Sequence, residues 1–313
     1  MDFRTFQIPL RTPFRGLTVR QGMLARGTVG WTEFSPFPEY DHQACVPWLQ
    51  AALEAASSEW PEPIRETVPV NGIVPAFGRG PHAVAMAAQS ECDTVKVKVA
   101  QTGETLANDI ERVSAIRTEF PDMKIRIDAN GAWSVREALK AIRLLDEAAE
   151  GLEYVEQPCE TVEELAEVRS KVDVLIAADE SIRRASDPFR VRDLSAADIA
   201  VLKVQPLGGV RACLRIAEQI DMPVVVSSAV ETSIGLTASI ALAAALPELP
   251  YACGIGTGHL LAADVVTSPV RPKNGELHVG RVDLDEDLFR AVQADPDIDD
   301  LWQARLSHVQ DLL

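Results

Sequence analysis

The chain has 313 residues, of which 47% are hydrophobic and 25% are charged, and this composition excludes a disordered, collagen-like or low-complexity protein. Its length allows one large domain, or one large domain and a smaller one. The formal net charge is −17, so the chain as a whole repels phosphate backbones and anionic lipid head groups. We therefore expect neither nucleic acid nor a membrane as a partner, and nothing in the sequence indicates a protein partner.

The cysteines and the apolar segments predict a cytoplasmic protein. The five cysteines are far apart and include no C-x-x-C pair, which indicates reduced thiols rather than a disulfide framework. The first residues lack the apolar core of a signal peptide. The longest apolar stretch, residues 234–246, is too short to cross a bilayer and is predicted to be a buried helix.

Residues 1–70 are predicted to form a separate N-terminal α+β domain. The stretch 17–36 is typical of a hairpin or meander of short strands, and residues 41–60 are typical of an amphipathic helix. Residues 270–313, at the other end of the chain, lie outside the strand–helix repeat of residues 71–269. We expect them to pack back on the N-terminal domain.

Residues 71–269 repeat one pattern, a short apolar run followed by a helical stretch. Eight such runs end 22 to 30 residues apart, which suits one strand, one crossover helix and two short loops in each repeat. Helices are predicted over 137–148, 161–172 and 208–220, with Thr161 as the N-cap of the second. Eight parallel strands joined by helices predict an α/β barrel of the TIM type. The alternative, an open doubly wound sheet that binds a dinucleotide, needs a G-x-G-x-x-G turn that the first two runs lack.

Charged side chains at the ends of five consecutive strands mark a candidate site, because barrel active sites lie at the C-terminal ends of the strands. In chain order these polar residues are Lys96 and Lys98, Asp128 and Asn130, Glu156, Asp179 and Glu180, and Lys203. Each residue alone is compatible with a solvated rim position, but several charges in otherwise apolar strands are costly to bury unless they are paired or bind a metal. Three neighbouring carboxylates favour a hard divalent cation such as Mg²⁺. A neutral lysine beside such an ion is a competent base for a carbon acid.

Two weaker signals follow the last two strands. Ser227 and Ser228 end the seventh run, and Gly254 and Gly256 lie in the turn after the eighth. The backbone N–H groups of a glycine-rich turn can bind a carboxylate. The two glycines are equally compatible with a tight turn that needs them for its backbone conformation.

The motifs at the strand ends resemble those of the enolase superfamily and, within it, of the muconate-lactonizing-enzyme subgroup. The resemblance covers about residues 90–260 and is carried by TVKVKV (94–99), RIDANGAWS (126–134), YVEQPC (154–159), IAADES (176–181) and LKVQPLGG (202–209). It implies a modified (β/α)7β barrel under an N-terminal α+β capping domain that C-terminal residues complete.

The resemblance also implies a role for each residue at the strand ends. The implied ligands of Mg²⁺ are Asp128, Glu156 and Asp179, and Mn²⁺ could bind to them in its place. Lys98 would remove the proton α to the substrate carboxylate and then protonate the departing hydroxide, while Lys96 keeps the pKa of Lys98 low. Lys203 would stabilise the enediolate from the other face, and Asn130 and Glu180 would support the metal ligands. The residues implied to hold the substrate are Ser227, Ser228, Gly254 and Gly256.

Within the subgroup, the stretches 8–40, 227–236 and 254–265 resemble the dehydratases that form o-succinylbenzoate in menaquinone biosynthesis. This resemblance implies syn dehydration of 2-succinyl-6-hydroxy-2,4-cyclohexadiene-1-carboxylate. The mandelate-racemase branch places a catalytic histidine after the seventh strand, where this chain has Ser227 and Ser228. That difference argues against a histidine–aspartate mechanism.

Three other functions remain open from the sequence. An N-succinylamino acid racemase, or another epimerase of the subgroup, would use the same two lysines on opposite faces of its substrate. A Schiff-base aldolase would use Lys203 as the nucleophile, but it would leave the three carboxylates without a role. A barrel retained only as a binding protein would show no dependence of its stability on Mg²⁺.

Overall fold

The computed structural model describes residues 1–14, 16–184 and 187–313, in which strands and helices alternate along most of the chain. Arg15, which belongs to one of the stretches used for the family resemblance, lies outside the described residues. The strands are β1 (Arg4–Phe14), β2 (Leu17–Arg26), β3 (Trp31–Phe34), β4 (Thr67–Pro69), β5 (Gly72–Val74), β6 (Thr94–Lys98), β7 (Lys124–Asp128), β8 (Tyr154–Glu156), β9 (Ile176–Ala178), β10 (Ile199–Lys203), β11 (Val224–Ser227) and β12 (Glu276–His278). The helices are α1 (Val46–Ser57), α2 (Gly80–Gln89), α3 (Leu106–Glu119), α4 (Val135–Ala149), α5 (Val162–Arg169), α6 (Glu180–Arg183), α7 (Arg190–Asp193), α8 (Val210–Ile220), α9 (Ser233–Ala245), α10 (Glu286–Val292) and α11 (Pro296–Gln310).

Seven parallel strands, β5 to β11, form one sheet in which every strand lies beside its neighbour in the sequence. One or two helices separate each strand from the next, so the predicted strand–helix repeat is confirmed. The strands are almost wholly buried because helices cover one face and the barrel interior covers the other. Alternation along each strand therefore decides which side chains enter the barrel and which meet the helices.

The predicted eighth strand is shorter than the sequence indicates. Only Cys253 and Gly254 pair with the sheet, through bridges to Val70 on one side and Ser227 on the other. The Gly254 N–H donates to the Val226 carbonyl at 2.8 Å, and the Cys253 N–H donates to the Pro69 carbonyl at 2.7 Å. These two residues close the barrel, which is thus of the modified (β/α)7β type that the family resemblance implies.

The local signals for the helices are confirmed. The predicted helices over 137–148, 161–172 and 208–220 correspond to α4, α5 and α8. Thr161 caps α5 as predicted, because its Oγ1 accepts from the Glu164 N–H at 3.2 Å while the Glu164 carboxylate accepts from the Thr161 N–H at 3.1 Å. This reciprocal pair satisfies two backbone donors that a helix start otherwise leaves free.

The two ends of the chain meet in one apolar cluster beside the barrel. Strands β1, β2 and β3 form an antiparallel sheet, and α1 and α11 both pack on it. Trp302 of α11 contacts Phe34 of β3 edge to face, with ring centroids 6.1 Å apart. Strand β4 pairs with β12, which ties the two ends together a second time. The division into a domain of residues 1–70 and a domain of residues 71–269 stays a prediction.

Two expectations about the whole chain can be compared with the structure. All five cysteines are buried free thiols, consistent with the absence of a disulfide framework. Among the described helices, none combines the length and the apolarity needed to span a bilayer.

We expect Trp302→Ala to lower the free energy of unfolding by about 3–5 kcal/mol, because it empties the centre of a packed cluster. Urea denaturation followed by circular dichroism measures this change. Leu301→Ala is the control, since Leu301 is the neighbouring residue of α11 and is 67% exposed. Equal losses in the two variants would show that α11 does not depend on this contact.

Candidate active site

Three carboxylates lie together at the C-terminal ends of neighbouring strands. Asp128 ends β7, Glu156 ends β8 directly opposite it, and Asp179 follows β9. All three side chains are at most 1% exposed. Burial raises the pKa of Glu156 to about 7, and the charges of Asp128 and Asp179 add to the effect. The charge of Asp179 acts in the same direction on the pKa of Asp128, so the like charges of the cluster oppose one another.

Each of these carboxylates is paired with a lysine from a flanking strand. The Lys96 Nζ donates to both carboxylate oxygens of Glu156, at 2.8 and 3.0 Å. The Lys98 Nζ donates to Oδ2 of Asp128, and the Lys203 Nζ donates to Oδ2 of Asp179 at 2.6 Å. The predicted lysines therefore do meet the predicted carboxylates.

The two lysines of β6 differ in their electrostatic environment. Burial tends to lower the pKa of Lys96, but the carboxylates of Glu156 and Asp128 outweigh it and hold this pKa above the usual range. Burial dominates at Lys98 and lowers its pKa, and the charge of Lys96 acts in the same direction. Burial likewise lowers the pKa of Lys203. Lys98 and Lys203 are thus the two lysines of the site whose pKa lies below the usual value.

The three carboxylates are suitable ligands for a hard divalent cation, but in this structure each of them contacts a lysine. Among the described residues, no three His, Cys, Asp or Glu side chains are arranged to hold a metal as they stand. The reason is visible in the contacts, because ammonium groups lie on Asp128, Glu156 and Asp179. Three buried carboxylates offer only oxygen donors, and such a donor set suits a hard divalent cation.

Asn130 and Glu180 support the cluster from its edge. Asn130 adopts a left-handed conformation (φ 48°), which asparagine tolerates, and its Oδ1 accepts from the Lys98 Nζ at 2.8 Å. Its Nδ2 donates to Oε1 of Glu180 at 3.2 Å. Glu180 thereby contacts residues around the carboxylates rather than lying among them.

Two residues that the sequence analysis missed also hold Asp179. The Arg183 Nε donates to Oδ1 of Asp179 at 2.9 Å, and Arg183 also contacts Glu180 and the hydroxyl of Tyr40. The Gln157 Oε1 accepts from the Asp179 N–H at 3.0 Å. The i, i+4 spacing of Asp179 and Arg183 could have suggested their pairing, whereas nothing local indicates the partner of Gln157.

The pocket above the carboxylates is lined by residues from the barrel and from the N-terminal strands. Three of the four predicted substrate-binding residues, Ser227, Ser228 and Gly254, line it together with the lysines. Phe14 and Phe37, which the sequence analysis missed, line its other side, and Thr257 contributes a hydroxyl that lies 2.7 Å from the Ser228 hydroxyl.

The glycine-rich turn is closely packed, and its role in substrate binding stays a prediction. The Gly254 N–H already donates within the sheet, so it is not free to bind a substrate carboxylate. A side chain at Gly254 would place Cβ 2.8 Å from the Ser227 Oγ. Gly256 is not among the lining residues, and a Cβ there would lie 2.9 Å from the Asn71 carbonyl. Close packing against a side chain at Gly254 and against the backbone at Gly256 leaves little space for a larger residue at either position.

Comparisons with known proteins agree with this architecture. A family model described as "Enolase C-terminal domain-like" matches residues 81–283, and another described as "Enolase N-terminal domain-like" matches residues 5–56. Among solved structures, muconate cycloisomerase from Pseudomonas fluorescens superposes with a TM-score of 0.79 at 20% identity, covering 94% of this chain and 98% of its own. The L-Ala-D/L-Glu epimerase from Bacillus subtilis superposes with a TM-score of 0.74 at 22% identity, covering 90% and 96%. At such identities these structures show the fold alone.

Curated relatives narrow the assignment. The o-succinylbenzoate synthase of Thermobifida fusca (strain YX) is 60% identical over 98% of this chain and 95% of its own length. The o-succinylbenzoate synthase of Mycobacterium leprae (strain TN) is 48% identical over 98% of this chain and 90% of its own length. The chain therefore belongs to the enolase superfamily and, within it, to the o-succinylbenzoate synthase family.

Proposed function

We propose that this protein is a lyase that dehydrates 2-succinyl-6-hydroxy-2,4-cyclohexadiene-1-carboxylate to o-succinylbenzoate, a step of menaquinone biosynthesis. The observation that carries the proposal is the row of buried carboxylates at the ends of β7, β8 and β9, flanked by lysines of β6 and β10. The family to which the chain belongs supports the choice of substrate.

Asp128, Glu156 and Asp179 are the proposed ligands of a divalent cation, which we take to be Mg²⁺ with Mn²⁺ as a substitute. When bound, the ion would polarise the substrate carboxylate and stabilise the negative charge that develops on it. The ammonium groups of Lys96, Lys98 and Lys203 would then be displaced from the carboxylates that they now contact. The same three lysines remain beside the site and attract an anionic substrate.

Lys98 is the proposed base and then the acid. Burial lowers the pKa of Lys98, which eases loss of its ammonium proton, and the amine so formed would take the proton on the carbon next to the substrate carboxylate. The electron pair of the broken C–H bond moves into the carboxylate as an enediolate. When that pair returns, the C–O bond at the neighbouring ring carbon breaks, and Lys98 gives its proton to the departing hydroxide. Water leaves from the face from which the proton was taken, and the ring becomes aromatic.

Lys203 and Lys96 assist the same reaction electrostatically and do not transfer the proton. Lys203 reaches the site from β10, across the carboxylates from β6, and stabilises the enediolate by its charge. Lys96 lowers the pKa of Lys98 by charge repulsion. Ser227, Ser228 and Thr257 line the pocket, and their hydroxyls are the proposed contacts of the succinyl arm.

Residues 1–70 together with 270–313 are the proposed cap of a catalytic domain that spans 71–269. Phe14 and Phe37 would close the pocket over the substrate, and the ring centroid of Phe14 is 5.4 Å from the Lys98 Nζ. The free buried thiols suit the reducing cytoplasm, which we propose as the location. A small anionic substrate is the only partner that this function requires.

We expect Lys98→Ala to lower kcat for the cyclohexadiene substrate by about 10²–10⁴-fold, the usual contribution of a positioned acid–base group. Steady-state absorbance assays measure the loss. Lys124→Ala is the control, because Lys124 lies at the opposite end of β7 with its side chain 63% exposed. A Lys98→Ala protein that keeps the kcat of the unsubstituted enzyme would remove the proposed mechanism.

We expect Mg²⁺ to raise the thermal unfolding midpoint, because a ligand that binds only the folded state stabilises it by about 2.7 kcal/mol at a hundredfold excess over Kd. Scanning calorimetry in Mg²⁺ and in EDTA measures the shift. Glu156→Gln should abolish it, whereas Glu163→Gln should not, since Glu163 is an exposed residue of α5. A midpoint that does not respond to Mg²⁺ in the unsubstituted protein would exclude the proposed metal site.

The second candidate function is an N-succinylamino acid racemase, favoured by the lowered pKa of both Lys98 and Lys203. Incubation of both enantiomers of an N-succinyl amino acid in deuterium oxide, beside the dehydration assay, separates the two. We expect a higher kcat/KM for dehydration than for deuterium incorporation. The reverse order would keep the fold and lysines and change the assigned activity.

A further inference from the structure

A second group of buried charges lies outside the carboxylate cluster, between the N-terminal sheet and the barrel. It comprises Arg20 of β2, Glu33 of β3 and Glu231 in the loop between β11 and α9, each at most 3% exposed. Burial raises the pKa of Glu33 to about 7, with Arg20 opposing the rise and Glu231 adding to it. Buried charges are costly, and their cost must be offset by the contacts that they make.

Glu33 reaches across the interface to hold the start of α9. Its Oε2 accepts from the Thr232 N–H at 3.0 Å and from the Thr232 hydroxyl at 2.6 Å. Its Oε1 accepts from the Ser35 hydroxyl at 2.6 Å. The Ser35 Oγ in turn accepts from Arg20 and from the Gln205 amide, so its own hydrogen is directed at Glu33. Both carboxylate oxygens of Glu33 thus serve as acceptors, and the hydrogen bonds from Ser35 and Thr232 oppose the rise in its pKa that burial causes.

Arg20 holds the middle of the same loop. Its Nε donates to the Val230 carbonyl at 3.0 Å, and its Nη1 and Nη2 donate to the Gln21 and Ser35 carbonyls. Val230 has φ 60°, a left-handed conformation that a β-branched residue rarely adopts. Such strain persists only where surrounding contacts enforce it, and Arg20 supplies one of these contacts.

The strained loop forms one wall of the candidate active site. Ser228, Ala229 and Val230 line the same pocket as Lys98 and Lys203. The network also reaches the segment after β10. The Ser35 N–H donates to Oε1 of Gln205 at 3.2 Å, and Gln205 lies two residues after Lys203. The N-terminal sheet is therefore bonded to two segments that line the site.

Gly235 provides a second, independent observation. It lies inside α9, where glycine weakens a helix. A Cβ at this position would lie 2.6 Å from Cβ of Glu231 and 2.8 Å from Oε2 of Glu33. The helix thus leaves space for two buried carboxylates at the point where the N-terminal sheet joins the barrel.

We propose that Arg20 and Glu33 are positioning residues that hold loop 228–232 in its strained conformation, so that substrate binding depends on contact between the N-terminal sheet and the barrel. The part that concerns substrate rests on the proposed function. Neither side chain touches the reacting atoms, so their removal should weaken substrate binding more than it slows the chemical step.

The test compares Glu33→Gln and Arg20→Met with the control Thr32→Val. Thr32 precedes Glu33 in β3 and is equally buried, but its hydroxyl bonds to the Ala52 carbonyl within the N-terminal part. In Glu33→Gln and Arg20→Met we expect amide hydrogen exchange of residues 228–232 to be about tenfold faster and KM about tenfold higher, with a smaller change in kcat. In Thr32→Val both should stay within about twofold, even where the unfolding midpoint falls.

Unchanged exchange and unchanged KM in Glu33→Gln would overturn the proposal, and so would equal changes in Thr32→Val. The exchange measurement needs no substrate, so it decides the role of Arg20 and Glu33 even if the proposed dehydration fails in the unsubstituted protein. If Glu33→Gln does not fold, Thr232→Val removes one donor to the same carboxylate from the barrel side, and the same faster exchange is expected.

Discussion

The burial of three carboxylates at one end of a parallel sheet is the constraint on which the rest of the structure depends. Parallel register places Asp128 opposite Glu156, and Asp179 follows the neighbouring strand β9. The charges of Asp128 and Asp179 raise the pKa of Glu156. Uncompensated, such a group would be very costly in a barrel interior. The flanking strands β6 and β10 supply cations on both sides, and α6 supplies Arg183. The residues that balance the charge are also those suited to acid–base chemistry.

The same constraint explains why the N-terminal strands lie over the barrel. Burial lowers the pKa of Lys98 and Lys203, and a site open to water would lose that effect. Phe14 and Phe37 line the pocket together with residues of the barrel. Excluding water also strengthens each charge interaction within the site. Packing between the two parts of the molecule is thus connected to the chemistry through electrostatics.

Two residues close the barrel, and the loop that follows β11 forms one wall of the pocket. Cys253 and Gly254 complete the hydrogen bonding of the sheet, and the chain after β11 is free to turn towards the pocket. That turn places Val230 in a strained conformation, which contacts from the N-terminal sheet help to hold. Barrel closure and the contacts of the N-terminal sheet therefore both contribute to the shape of the pocket.

The sequence by itself determined the strand–helix repeat and the charged residues at the strand ends, because both depend on short-range periodicity and on the alternation of side chains. Lys96 and Lys98, for example, share one side of β6 wherever that strand lies. Only the tertiary structure decided which partner each charged side chain contacts. The pairing of Glu33 with Thr232, or of Arg183 with Tyr40, joins residues more than a hundred positions apart, and no local pattern specifies it. The close packing around the glycines at 254 and 256 was likewise decided by the tertiary structure, since the space beside a backbone is set by neighbours that are distant in the chain.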